Sequence, residues 1–285
     1  MSHKNKKSLT RQVQERYDSM LAMGQSKHQD KINHNTWNRI YSWSTYDSYI
    51  KHANYFVAYC KSEHGCKNLE ECRPYVDEWL QRRIDQNLSA YTIKLEAAAL
   101  GKLYGCSTTE FIATPSRYRK NIMRSRGEKV RDAHFSEKNH RELVDFCKST
   151  GLRRRELAAL TGDKLIKKDG KYYIIIDKGS KGGRYRESEV IGNVENVKTL
   201  MDRAGKDKVF DSIPGAADIH GYRSMYATTI YHMNTRPIES IKNKKELYIC
   251  RSDRKGTVFD REAMQAATTA LGHNRISVVA GHYIR

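Results

Sequence analysis

KYYIIIDKGSKGGRYRESEVI, residues 171–191, decides the fold class of the second half of the chain. Lys171 to Asp177 is a run of aromatic and β-branched residues, the types that fit a pleated, half-buried surface. The glycine-rich turn DKGSKGG follows, and Arg184 to Ile191 then alternates well enough to be the partner strand, so the stretch predicts an antiparallel hairpin. On both sides the periodicity is helical. Upstream, Ser136 is the expected N-cap of a helix through Leu143, Val144 and Cys147 that Gly151 closes, and a second helix is expected from Arg154 to Leu160. Downstream, helices are expected over Val194 to Ala204, His220 to Met233 and, last, Asp260 to Leu271. The result is a helical domain with a small antiparallel sheet.

Further toward the N-terminus no strand signal survives. Val13, Tyr17, Met20 and Leu21 predict a helix from about Leu9 to Met23. A second is expected from Ser44, with Ser44 and Asp47 as its capping box, continuing through Ile50, Ala53, Val57 and Cys60. Tyr75 to Ile84 and the stretch beginning at Ser89 supply two more, and apolar stripes of this kind must pack on one another, giving a compact helical module. RYRKNIMRSRGEKVRDAH, residues 117–134, is highly charged and reads as an interdomain connection able to lie along a phosphate backbone. The expected organisation is a helical DNA-binding region over residues 1–125, a basic linker over 126–135 and a second domain over 136–285. With 285 residues, 38% of them hydrophobic, the chain can bury a core in each domain.

Composition narrows the partner. Lys and Arg number 52 against 33 Asp and Glu, a net charge of +19, and the basic residues run along the whole chain rather than clustering beside an apolar anchor. That pattern favours nucleic acid over a membrane surface. There is no apolar stretch of the roughly 18 residues that spans a bilayer, and MSHKNKKSLT is no secretion signal, so a cytoplasmic, DNA-associated protein is expected. Six cysteines without CxxC pairing read as reduced thiols; Cys60, Cys66 and Cys72, with His64 among them, are expected to be ordinary partly buried side chains, and no metal site is expected.

The second domain gathers cationic and proton-carrying groups in separate short stretches. Arg153 and Glu156 lie three apart in TGLRRREL at a helix start and can share a face. Lys178 and Lys181 stand in the hairpin turn, where glycines let a large ligand approach. His220 and Arg223 share a helical face in HGYRS, His273 follows the last expected helix in LGH, and Tyr283 comes ten positions later.

Taken together, TGLRxxEL, a lysine in a strand turn, HxxR, LGH and a tyrosine near the end resemble the tyrosine site-specific recombinases of the phage-integrase type, over the whole half from Ser136 onward. SAYTIKLEAAALGKLYG resembles that family's core-binding domain more loosely. The resemblance implies a C-shaped clamp around DNA, with strand cleavage and rejoining through a 3′-phosphotyrosyl intermediate. Tyr283 would be the nucleophile, and Arg153 and Arg223 would clamp the phosphate, since a guanidinium offers parallel hydrogen bonds to it. His220 would accept the phenolic proton and His273 would donate to the phosphate. Lys181, or alternatively Lys178, would protonate the departing 5′-oxygen, and Glu156 would support by orienting Arg153 or a neighbour. No cofactor is implied, because the covalent link stores the energy of the broken bond. The implied partners are double-stranded attachment sites of a mobile element, a homotetramer on DNA, and possible accessory DNA-bending or directionality proteins, with no membrane.

Rivals stand beside each of these residues. Arg154 and Arg155 flank Arg153, His282 adjoins the tyrosine, and Tyr222, Tyr226 and Tyr231 are alternative phenols expected instead to pack in the core. RPIESIKNKKELYICRSDRKGTVFD, within a region longer than the family usually has there, is either a DNA-contacting excursion or a surface insertion. Only Ile284 and Arg285 follow the tyrosine, where many relatives continue into a tail, which weakens the expectation of a tetramer. Competing functions are a type IB topoisomerase and a non-catalytic DNA-binding protein on the same fold; the full residue set argues against the second.

Overall fold

The computed structural model describes residues 7–118, 135–180, 183, 185–251 and 254–284. It divides into two compact units, residues 1–122 and 123–285. Of the expected linker over 126–135, all but Phe135 lies outside the described residues.

In the first unit the helices are α1 (Leu9–Asp18), α2 (Lys27–Ile32), α3 (Trp43–His64), α4 (Leu69–Cys72), α5 (Val76–Asp85) and α6 (Ala90–Tyr104). Val13 and Tyr17 of α1, Phe56 and Cys60 of α3, Leu80 of α5 and Leu100 of α6 meet in one apolar cluster. The Tyr17 hydroxyl, buried with its ring, donates to the Ala99 carbonyl at 2.8 Å. Two expectations are corrected here. The first helix stops at Asp18: the Met20 and Leu21 N–H groups tighten onto the carbonyls three residues back, at Tyr17 and Asp18, and the Ala22 N–H and Met20 carbonyl then pair with the backbone of Ile40. The cap of α3 is Ser42, whose hydroxyl accepts the Thr45 N–H, and Ser44 is already inside the helix. Ser89 does cap α6. Cys60, Cys66 and Cys72 are free thiols buried in this core.

The second unit contains α7 (Arg141–Thr150), α8 (Arg154–Ala159), β1 (Leu165–Lys168), β2 (Lys171–Ile176), β3 (Arg186–Glu189), α9 (Val194–Ala204), α10 (Ile219–Asn234), β4 (Leu247–Ile249), β5 (Val258–Asp260), α11 (Arg261–Ala270) and α12 (Ile276–His282). The expected hairpin forms, with Ile174 opposite Ser188, and β1 joins it as a third antiparallel strand. Ser136 is not the cap of α7: residues 137–140 make a turn in which the Ser136 carbonyl takes the His140 N–H, and the helix starts at Arg141. Gly151 closes α7 as expected, at φ 59°, and an added Cβ there would run into the Tyr226 ring.

Two apolar clusters fill this unit. One lies among α7, β2 and α9; the other joins α10, α11 and α12. α10 serves both, through Ile219 and Tyr222 in the first and Tyr226, Ala227 and Ile230 in the second. The segment between α10 and α11 is tied into the second cluster. Arg236 pairs with Asp260 at 2.8 Å and Glu246 at 2.7 Å, β4 pairs antiparallel with β5, and the Phe259 ring sits edge-on to Tyr231. Among the described residues no helix is long and apolar enough to cross a membrane.

Candidate active site

The site is assembled around one carboxylate and the end of one helix. Arg153 is the N-cap of α8 and Glu156 its third residue, so Glu156 Oε2 accepts the Arg153 N–H at 2.7 Å and Oε1 the Arg153 guanidinium at 2.6 Å. On its other side Glu156 receives the guanidinium of Arg186 at 2.7 Å. The carbonyls at the C-terminus of α11, left without intrahelical donors, are taken by arginines. Arg186 donates to Ala270 at 2.8 Å, Arg153 to Leu271 at 3.3 Å, and Arg223 to Leu271 and to Gly151. Three guanidiniums thus converge on one carboxylate and one helix end, where the dipole favours positive charge.

Burial makes this charge consequential. Arg223 is 1% exposed and Arg186 8%. Loss of hydration first, then the neighbouring arginines, pushes the Arg223 guanidinium down to about 10, which leaves it fully charged at neutral pH. Arg186 is lowered by burial against the pull of Glu156. Burial opposes the charge on Glu156, but Arg186, the Arg153 N–H, and the Arg223 and Arg153 guanidiniums together hold its carboxyl below the usual range. His273 is pushed down to about 4, by desolvation before the three arginines and His282, so it is neutral at pH 7. Arg223 Nε, Arg186 Nε and His273 Nε2 are buried and find no protein partner. Buried donors of this kind are costly unless an acceptor meets them.

Tyr283 closes the cluster. It is 6% exposed, its ring centroid 5.1 Å from that of His220 and 5.2 Å from that of His273, with the Arg223 guanidinium 5.5 Å from the ring centre. His220 and Arg223 come from the first turns of α10, and Tyr283 from the end of α12. Beside them a cleft of about 520 Å³ is lined by Arg153, Ser180, Tyr185, Arg186 and His273.

The structure therefore brings together Arg153, Glu156, His220, Arg223, His273 and Tyr283. Lys178 is exposed in the turn after β2, and Lys181 lies outside the described residues. Arg154 is spent on the carbonyls of Ile213, Pro214 and Ala217, and Arg155 and His282 are exposed. Tyr222, Tyr226 and Tyr231 are buried, their hydroxyls engaged with Glu137, the Glu189 carbonyl and the Asp260 N–H.

No family model and no curated protein matches the sequence. Solved structures do match the fold. The XerH site-specific recombinase bound to a palindromic difH substrate, in a post-cleavage complex, superposes with a TM-score of 0.53 at 16% identity, over 96% of this chain and 90% of that one. The Tn1549 transposon integrase in complex with circular intermediate DNA gives a TM-score of 0.49 at 12% identity, over 96% and 95%.

This chain has the tyrosine-recombinase fold.

Within that fold, sequence reasoning missed Arg186 and α12. Arg186 had a signal: in RESEV the alternation that turns Ser188 and Val190 inward turns Arg186 inward as well, a cation where the core face calls for an apolar residue. The short helix α12, which carries Tyr283 at its end, has no capping side chain to announce it.

Proposed function

We propose that this chain is a site-specific DNA recombinase, acting in integration and excision by cleaving and rejoining strands through Tyr283. One observation carries the reading: a phenol held inside the protein against two imidazoles and a charged, buried guanidinium with an unmet donor. A phosphodiester resists attack by an anionic oxygen until its non-bridging oxygens are neutralised, and oriented cations in a dry site do this best. In this reading Arg153 and Arg223 hold the phosphate, with Glu156 and Arg186 fixing Arg153 from behind. Neutral His273 donates a hydrogen bond to a phosphate oxygen. His220 takes the proton of Tyr283 as the phenolic oxygen bonds to phosphorus.

The phosphorus–5′-oxygen bond breaks in the same step, and the departing oxygen receives its proton from a lysine of the hairpin turn, Lys181 or its rival Lys178. The 3′-phosphotyrosine is then attacked by a 5′-hydroxyl, which yields its proton as the phenol regains one. The helical region over 1–125 supplies further DNA contacts to the catalytic domain over 136–285, and copies of the chain assemble on paired attachment sites as a tetramer.

The test is a nicked suicide substrate, whose cleaved end diffuses away and traps the covalent adduct. The wild-type chain should form the adduct, and Tyr283→Phe should bind the same DNA with unchanged affinity and form none. Adduct in the Phe variant would place the nucleophile elsewhere, and no adduct from the wild type on its own attachment site would remove the enzymatic reading.

A further inference from the structure

We infer that Arg254, in the segment between α10 and α11, is a positioning residue for Tyr283, so that this segment fixes the nucleophile; the inference rests on the proposed role of Tyr283. The end of a helix is where a side chain is hardest to aim, because the last carbonyls lack intrahelical donors and the turn frays. Tyr283 occupies that place at the end of α12, a helix of 7 residues. Its own N–H is held by the Val279 carbonyl at 2.9 Å. On one side its carbonyl accepts from the hydroxyls of Ser224 and Thr228, on the same helix that supplies His220 and Arg223.

The other side is closed by Arg254. Its Nη1 donates to the Ala280 carbonyl at 2.7 Å and to the Ile284 carbonyl at 3.0 Å, bracketing the tyrosine in sequence. The guanidinium is itself oriented. It stands over the Phe259 ring at 5.1 Å, and the backbone around it is fixed where the Thr257 N–H meets the Arg254 carbonyl at 3.0 Å and Cys250 pairs with Thr257 at 2.8 Å. A cation at a helix C-terminus is also favoured by the dipole. α10 therefore holds the Tyr283 carbonyl, and the segment between α10 and α11 holds the carbonyls of Ala280 and Ile284 around it. A solvated loop side chain would not make paired bonds to carbonyls on either side of a reacting residue.

The phenol must meet phosphorus in line, and misplacement by about 1 Å costs on the order of 100-fold in rate. Single-turnover cleavage of the suicide substrate at saturating DNA should slow by about 10- to 100-fold in Arg254→Ala, with DNA affinity unchanged within about twofold. Arg254→Lys, which keeps a cation with donors for both carbonyls, should restore most of the rate. Cleavage by Arg254→Ala at the wild-type rate overturns the inference, as does parallel loss of DNA affinity and cleavage that lysine does not rescue.

A second measurement needs neither DNA nor catalysis. In free Arg254→Gln, a milder change, amide hydrogen exchange from Val279 to Ile284 should quicken by about tenfold while α7 is unaffected. Unchanged exchange in α12 also overturns the inference. Failure of the wild type to form any adduct, with α12 still loosened in the Gln variant, would instead sink the role of Tyr283 and leave the restraint standing.

Discussion

His273 gives the site a pH response whose sign follows from its surroundings. An imidazole in the unfolded chain titrates near 6.5, whereas in the fold burial and the arginines push it down to about 4. Between those values the unfolded chain binds the proton and the folded one does not, so stability falls as pH drops through that window. The contribution is fully present above pH 6.5 and gone below the folded value. The melting temperature of the wild type should accordingly decline more steeply from about pH 6.5 to 4 than that of His273→Asn. Equal slopes would take His273 out of the acid response. Burial first and the positive field of the arginines second expel that proton, and in the proposed reading the same field is the one a phosphate would meet. Glu156 offsets part of that field: it is 2% exposed and joined to both Arg153 and Arg186.

Caps decide where the helices of the first unit begin and therefore which faces they present. The Ser42 hydroxyl accepts the Thr45 N–H and also lies 2.9 Å from the Thr45 hydroxyl, while Ser44 is already the second residue of α3 and its carbonyl accepts from the Ser48 hydroxyl. Removing a side-chain cap typically costs about 1 kcal/mol. Ser42→Ala should lose about that much in urea unfolding and Ser44→Ala only a few tenths; the reverse order would return the helix start to Ser44. In the second unit, α8 starts and α11 ends where their unpaired groups become part of the site. Arg153 caps one and the arginines collect the carbonyls of the other, so local helix termination and site assembly are the same event.

At the level of the whole chain, a net charge of +19 spread over both units is the physical basis for the proposed DNA partner. Contacts to phosphates release condensed counterions, and neutralising six to ten of them makes affinity fall by about 10³ to 10⁵ between roughly 50 and 200 mM salt. Binding of duplex attachment-site DNA by the full chain should show a drop of that order in a titration followed by anisotropy. A flat salt response would argue against extensive backbone contacts and for a smaller, base-directed interface.

Composition and periodicity determined much of this protein. The four longer helices of the first unit, the hairpin at 171–191, the closing Gly151, and the order of Arg153, His220, Arg223, His273 and Tyr283 along the chain were legible, because period, turn residues and spacing are local properties, whereas the short helices α2 and α4 were not. Nor were several other features. The true cap Ser42 depends on which of several polar residues meets an open N–H, the start of α7 at Arg141 follows a turn with no capping side chain, and the early end of α1 depends on Ile40, distant in sequence. Arg186 became a site residue only when β3 paired with β2 and turned it toward Glu156 from another element. Arg254 acquired its place through contact with a helix too short to announce itself. A chain writes its periodicities residue by residue, but which cation faces which carboxylate or carbonyl is settled by packing between distant segments, and only the tertiary structure decided that.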